Sequence, residues 1–359
     1  MIMGEKKTKA RDWLFDNYKA LLIVLVVTGH LTEPCYENNG LLYVLKWLIF
    51  TFHMPAFILI SGYFSRRSHS LKELAQKFLV PYLVFEVIYY LVYTVIIQKE
   101  TSLALLFPKF SLWYLPALFV WRAVTPYVKK VPHYFLLSVL GGLAAGFFPG
   151  PSNFLTLPRI LFFYPYFLAG TLLDRNLLTK LREKVSVRRT AALGTVLYVL
   201  FLIFDPVHTL VSPKVFYGRY SYDYLGMEPM EGMLVRLLCY GAGFFLTWAG
   251  LILISGRRHW FSFLGSDTLP IYLFHGLVYK IISGRTDLLS SVETLPESFT
   301  LLAFCLVLTL ALSTPALGRF TATVSNLSLS HMWQEIRPQL SNQNLLPGAS
   351  SQRFRYRES

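Results

Sequence analysis

FDNYKALLIVLVVTGHLTE, residues 15–33, holds an unbroken apolar centre between Lys19 and His30. A helix crossing a bilayer needs about 20 mostly apolar residues, and this stretch has that length. Lys6, Lys7, Lys9 and Arg11 precede it, as in a signal peptide. No small-residue cleavage site follows, however, and Lys19, His30 and Glu33 sit in or beside the run, so it reads as a retained helix. Nine further stretches of this kind lie near 41–64, 78–97, 111–128, 132–149, 154–173, 188–206, 230–254, 264–283 and 298–318.

Composition agrees with that reading. Apolar residues make up 54% of the 359 and charged residues 15%, against about 25% charged in soluble domains, and the mean hydropathy is +0.46. A water-soluble enzyme and a wholly disordered chain are both excluded. The net charge of +14 would point to nucleic acid in a soluble protein. In a membrane protein it is what basic cytoplasmic loops produce. With the N-terminus placed inside, strict alternation over ten spans puts 23 of the 34 Lys and Arg in inner segments and 5 in outer ones. The expectation is an all-α integral membrane protein, about ten transmembrane helices in one bundle, with both termini cytoplasmic. Residues 12–320 form the multi-pass unit, and 321–359 form a polar, disordered cytoplasmic tail. Cys35, Cys239 and Cys305 have no metal-type spacing and suggest no disulfide framework.

Ionisable side chains at the centre of a membrane helix cost roughly 2.5–3.5 kcal/mol each, so each asks for a reason. Lys19 and His30 are eleven residues apart, about three turns, and share one helix face with roughly 16 Å between them along the axis. Singly they read as a snorkelling cation and an interfacial histidine; together they read as one polar stripe. In FHMPAFILISGYFSRR, His53 either hydrogen-bonds a carbonyl freed by Pro55 or faces a site, and Ser61-Gly62 marks close helix packing. Arg66 and Arg67 are either positive-inside anchors or phosphate ligands. Trp113 and Tyr114 open the fourth stretch as an aromatic belt or as hydrogen-bond donors. His275, in LGSDTLPIYLFH, is open between a structural and a catalytic role.

Taken together, DNYKALLIVLVVTGH, FHMPAFILISGYFSRR, LWYLPALFVWR, FYPYFLAGTLL and LGSDTLPIYLFH resemble the membrane-bound acyltransferase-3 family, particularly its branch of fucose 4-O-acetylase-like polysaccharide O-acetylases. The family's motif of a basic residue, ten spacers and a histidine falls on Lys19 and His30, with Lys where other members have Arg. The resemblance implies transfer of an acetyl group from cytoplasmic acetyl-CoA to a hydroxyl of a glycan or lipid-linked sugar outside. It also implies a multi-pass location in a bacterial plasma membrane, with no metal, prosthetic group or nucleic-acid partner. On that reading His30, Lys19 and His53 are catalytic, Arg66 and Arg67 bind the donor, and Trp113, Tyr114 and His275 serve the acceptor or the oxyanion. A glycan or lipid-linked-sugar transporter would share the span count and intramembrane charges, but would often carry an internal repeat, and none is visible. A non-enzymatic scaffold would not need Lys19 and His30 on one face.

Overall fold

A computed structural model describes residues 11–67, 69–149, 154–204 and 211–327, which are helical and contain no strand. In chain order the main helices are α1 (Trp13–Leu31), α2 (Gly40–Tyr63), α3 (Leu71–Ile96), α4 (Tyr114–Val128), α5 (Tyr134–Phe147) and α6 (Leu157–Leu172). After them come α7 (Arg175–Glu183), α8 (Val185–Phe204), α9 (Pro229–Leu253), α10 (Leu269–Arg285), α11 (Leu295–Leu312) and α12 (Pro315–Asn326).

Every apolar stretch recognised in the sequence contains a helix among the described residues. Among the described residues seven helices are long and apolar enough to cross a membrane: α1, α2, α3, α6 with its leading turn, α8, α9 and α11. The other three are shorter. α4 has 15 residues and α10 has 17, which at 1.5 Å per residue gives about 23 and 26 Å against a hydrocarbon core of about 30 Å. α10 is shorter than its sequence stretch because the chain breaks at Asp267 and Thr268, after the small helix Ser262–Ser266.

Helix ends follow local chemistry. The Asp12 and Asn39 side chains cap α1 and α2, accepting from the backbone N–H of Leu14 (3.2 Å) and Leu42 (3.1 Å). Ser70 with Glu73, and Thr294 with Glu297, form reciprocal capping boxes. That cap starts α3 at Leu71, several residues before the apolar run at 78. α12 runs on to Asn326 with Thr321 and Val324 buried. The expected boundary at 320 therefore falls inside a packed helix, and the tail beyond 327 lies outside the described residues.

α1 is the central helix, packing on α2, α10, α11 and the small helix Ser262–Ser266. α2 and α6 approach most intimately where Gly62 meets Gly170. A Cβ on Gly62 would fall on the Phe167 carbonyl, and one on Gly170 on the Leu59 carbonyl. Close backbone contact through small residues is how helices associate where lipid supplies no hydrophobic drive.

The loop between α3 and α4 is nailed to the bundle from within. Glu86 of α3 is fully buried, and its carboxylate accepts from both the backbone N–H and the ammonium of Lys109, each at 3.1 Å. The next residue, Phe110, is held at φ +47°. This clamp carries the Phe110 ring into the centre of the protein.

Candidate functional site

A cavity of about 570 Å³ runs between α1, α2, α4, α6, α10 and the segment around Tyr217. Its volume is in the range of small-molecule sites. Lys19, Lys77 and Ser325 line one end, and Glu33, Tyr217 and Lys280 the other. His30 lies on the wall between them, so the stripe of α1 expected from sequence faces this cavity along its length.

The His30 ring is packed among aromatics. Its centroid lies 4.6 Å from Phe110, 5.2 Å from His275 and 6.3 Å from Phe50. His275 is buried; its Nδ1 sits 3.1 Å from the Ile271 carbonyl, and its Nε2 has no hydrogen-bond partner among the described residues. A carbonyl oxygen only accepts, so Nδ1 carries a proton, and in the neutral ring Nε2 is left with its lone pair. His53 is in the same state, with Nδ1 donating to the Ile49 carbonyl at 2.7 Å. It does not serve the Thr51 carbonyl, which Pro55 leaves without its usual donor. A neutral imidazole held this way accepts at Nε2. In that form it is a proton acceptor rather than a donor, and His53 lines the cavity.

Trp113 and Tyr114, at the start of α4, line the cavity as well. Trp113 stacks on Phe163 at 5.4 Å, and the Arg159 guanidinium lies 5.0 Å from its ring. The Tyr114 hydroxyl is 2.7 Å from Ser61 Oγ, so its position is fixed by a second side chain on α2.

The remaining expected residues lie apart from this centre. Lys19 forms an ion pair with Asp16 at 3.0 Å, and Asp16 also accepts from Arg11 at 2.9 Å. Arg66 and Arg67 are exposed just past α2, near the Lys19 end, where the Lys19 ammonium lies 6.0 Å from the Phe64 ring. Arg66 packs over Tyr63 and donates to the Leu173 carbonyl. Neither arginine is on the cavity wall, and His275 contributes through its contact with His30.

The structure adds a group that the motifs do not name. Lys46 of α2 is completely buried, donates to the Gly29 carbonyl at 2.8 Å and forms an ion pair with Glu33. The Tyr217 hydroxyl lies 3.0 and 2.8 Å from the two Glu33 oxygens. Lys46 is visible in the sequence as a charge within the apolar run 41–64. Tyr217 carries no such signal.

A family model described as an acyltransferase domain matches residues 13–317 of the chain. Over short segments the chain is also similar to two curated relatives. It is 45% identical over 56 residues to nodulation protein NolL of Sinorhizobium fredii (strain NBRC 101917 / NGR234), covering 15% of each chain. It is 41% identical over 61 residues to nodulation protein NolL of Mesorhizobium japonicum (strain LMG 29417 / CECT 9101 / MAFF 303099), covering 16% of each. The chain thus spans about a sixth of the length of these relatives. No solved structure matches it significantly.

Proposed function

The chain belongs to the acyltransferase-domain family and is a membrane acyltransferase; from that premise we propose that it moves an acetyl group from cytoplasmic acetyl-CoA to a hydroxyl of a glycan outside the membrane. The observation that carries this reading is the position of His30, on the wall of a cavity that has Lys19 and Lys77 at one end and Glu33, Tyr217 and Lys280 at the other. Both termini and the Lys19 end are taken as cytoplasmic, in line with the charge asymmetry of the loops.

In this reading Lys19, Arg66 and Arg67 draw the donor's phosphates to the cytoplasmic mouth, and the thioester reaches His30. His30 takes the proton of the acceptor hydroxyl as its oxygen attacks the thioester carbon. The new C–O bond forms, the C–S bond breaks, and the departing thiolate takes the proton from His30 to leave as CoA, which restores the neutral imidazole. Trp113 and Tyr114 supply donors for the oxyanion that develops on the carbonyl. His275, against His30, confines the imidazole to one position.

The reading is tested by incubating membranes containing the protein with radiolabelled acetyl-CoA and following alkali-labile label on surface polysaccharide. Label above that of membranes without the protein is expected; none would overturn the reading. In the same assay, replacing Arg66 and Arg67 together with Ala is expected to raise the apparent KM for acetyl-CoA several-fold. The effect should be larger at low salt, because exposed charges are screened over about 10 Å at 0.1 M. An unchanged donor dependence would assign the two arginines to topology alone.

A further inference from the structure

We propose that Glu33, held by Lys46 and Tyr217, is the acceptor subsite, and that it selects a sugar ring presenting two adjacent hydroxyls. The proposal rests on the acetyl-transfer reading and names its substrate class. Glu33 lies three residues beyond His30, with its N–H bonded to the His30 carbonyl at 3.2 Å, so its backbone stands one turn beyond that of His30, and both side chains line the same cavity. It lines the cavity and keeps 30% of its side chain exposed.

Its hydrogen-bonding capacity can be counted. An ionised carboxylate has about four acceptor positions. Among the described residues Lys46 fills one, and the single Tyr217 proton is shared between the two oxygens. About two positions are left for the cavity, enough to accept the hydroxyl that neighbours the one being acetylated. Lys46 has no comparable capacity left. Its ammonium is engaged by Glu33, by the Gly29 carbonyl and by the face of Phe50 at 4.0 Å. Lys46 therefore holds Glu33 in place, and Glu33 is the group that meets the ligand. Phe50 stacks on Tyr217 at 4.8 Å, and Phe110 on Tyr279 at 5.1 Å. These stacked pairs hold the walls beside the carboxylate rigid, so a ring bound there meets fixed surfaces. One hydroxyl of the pair is then held on Glu33 while its neighbour is within reach of His30.

The test uses the purified full chain with radiolabelled acetyl-CoA. The acceptors are methyl α-fucopyranoside, methyl α-galactopyranoside and methyl α-glucopyranoside, each with its monodeoxy analogues. The wild type is expected to acetylate at least one of them. Removing the hydroxyl next to the acetylated one should raise the sugar KM about 10- to 100-fold, the weight of a hydrogen bond to a charged group. Glu33→Gln is expected to raise the sugar KM by a similar factor with a much smaller change in kcat, the signature of lost ground-state binding. It should also no longer distinguish the deoxy analogue. Should Glu33→Gln fail to fold with Lys46 left unpaired, Glu33→Gln with Lys46→Met removes both charges of the pair together and is expected to give the same KM pattern. The wild-type deoxy series needs no variant at all. Indifference of the wild type to the adjacent hydroxyl, or a variant that loses kcat with its sugar KM unchanged, would overturn the proposal. Acetyl-CoA consumption without transfer to any pyranoside would overturn the proposal alone. Failure of the wild type to consume acetyl-CoA would overturn the transfer reading with it.

Discussion

Replacing His30 with Ala is expected to lower acetyl transfer by at least about 10²–10⁴-fold, the usual cost of losing a positioned general base. Among the described residues three imidazoles meet in this region, but they are not equivalent. His53 and His275 each hold a backbone carbonyl of their own helix through Nδ1. His30 is placed differently: it stands on the cavity wall, as His53 does, but on the helix whose Lys19 faces the same cavity, and no carbonyl of its own helix is bonded to its ring among the described residues. A neutral imidazole can take a hydroxyl proton as the oxygen attacks. Asn or Gln at position 30 would fill the space but cannot accept that proton, so neither is expected to rescue transfer. The ring is only partly buried, so the variant should remain inserted and abundant. Immunoblots of membranes alongside the labelling assay check this. Near-normal acetylation by a well-expressed His30→Ala protein would move the mechanism to His53 or His275.

The second large effect is on stability. Lys109→Met is expected to cost about 3–5 kcal/mol, the penalty for stranding one member of a buried ion pair. Glu86 has 0% side-chain exposure and Lys109 10%, so water has little access to the carboxylate left behind. A lowered melting temperature of the detergent-solubilised protein would report the loss. Adding Glu86→Gln should recover part of it, because the remaining partner no longer carries a charge. Activity should fall in Lys109→Met even where the protein survives, since the clamp precedes Phe110, whose ring packs on His30. A single variant as stable as the wild type would show that Glu86 finds another donor.

The helices were legible from the sequence because a membrane span must satisfy its backbone internally and present apolar side chains over a fixed length. Those requirements are local. The breaks at Asp267 and before Pro315, and the early start of α3 on its capping box, were less visible, since hydropathy does not register caps. Within the site, the Lys19 and His30 stripe was readable because both residues belong to one helix and periodicity alone relates them. Glu33 and Lys46 are 13 residues apart across the turn between α1 and α2, and the cost of Lys46 in an apolar run flags it without naming its partner. Tyr217 is 184 residues from Glu33, and Phe110 reaches His30 only because Glu86 holds the preceding lysine. Such meetings depend on tertiary packing, and no local spacing encodes them. Gly62 lies between the two cases. Its small size marked it for close packing, while its partner Gly170 became apparent only from the crossing of α2 and α6.

The central claim is that one cavity brings donor and acceptor from opposite sides to His30, and membrane sidedness tests it most directly. Sealed vesicles with the cytoplasmic face outward would enclose the glycan and be given radiolabelled acetyl-CoA only from outside. Alkali-labile label on the enclosed glycan, absent from vesicles carrying His30→Ala, is the predicted result. Label confined to glycan on the same side as the donor, or equal labelling by the His30→Ala protein, would contradict it.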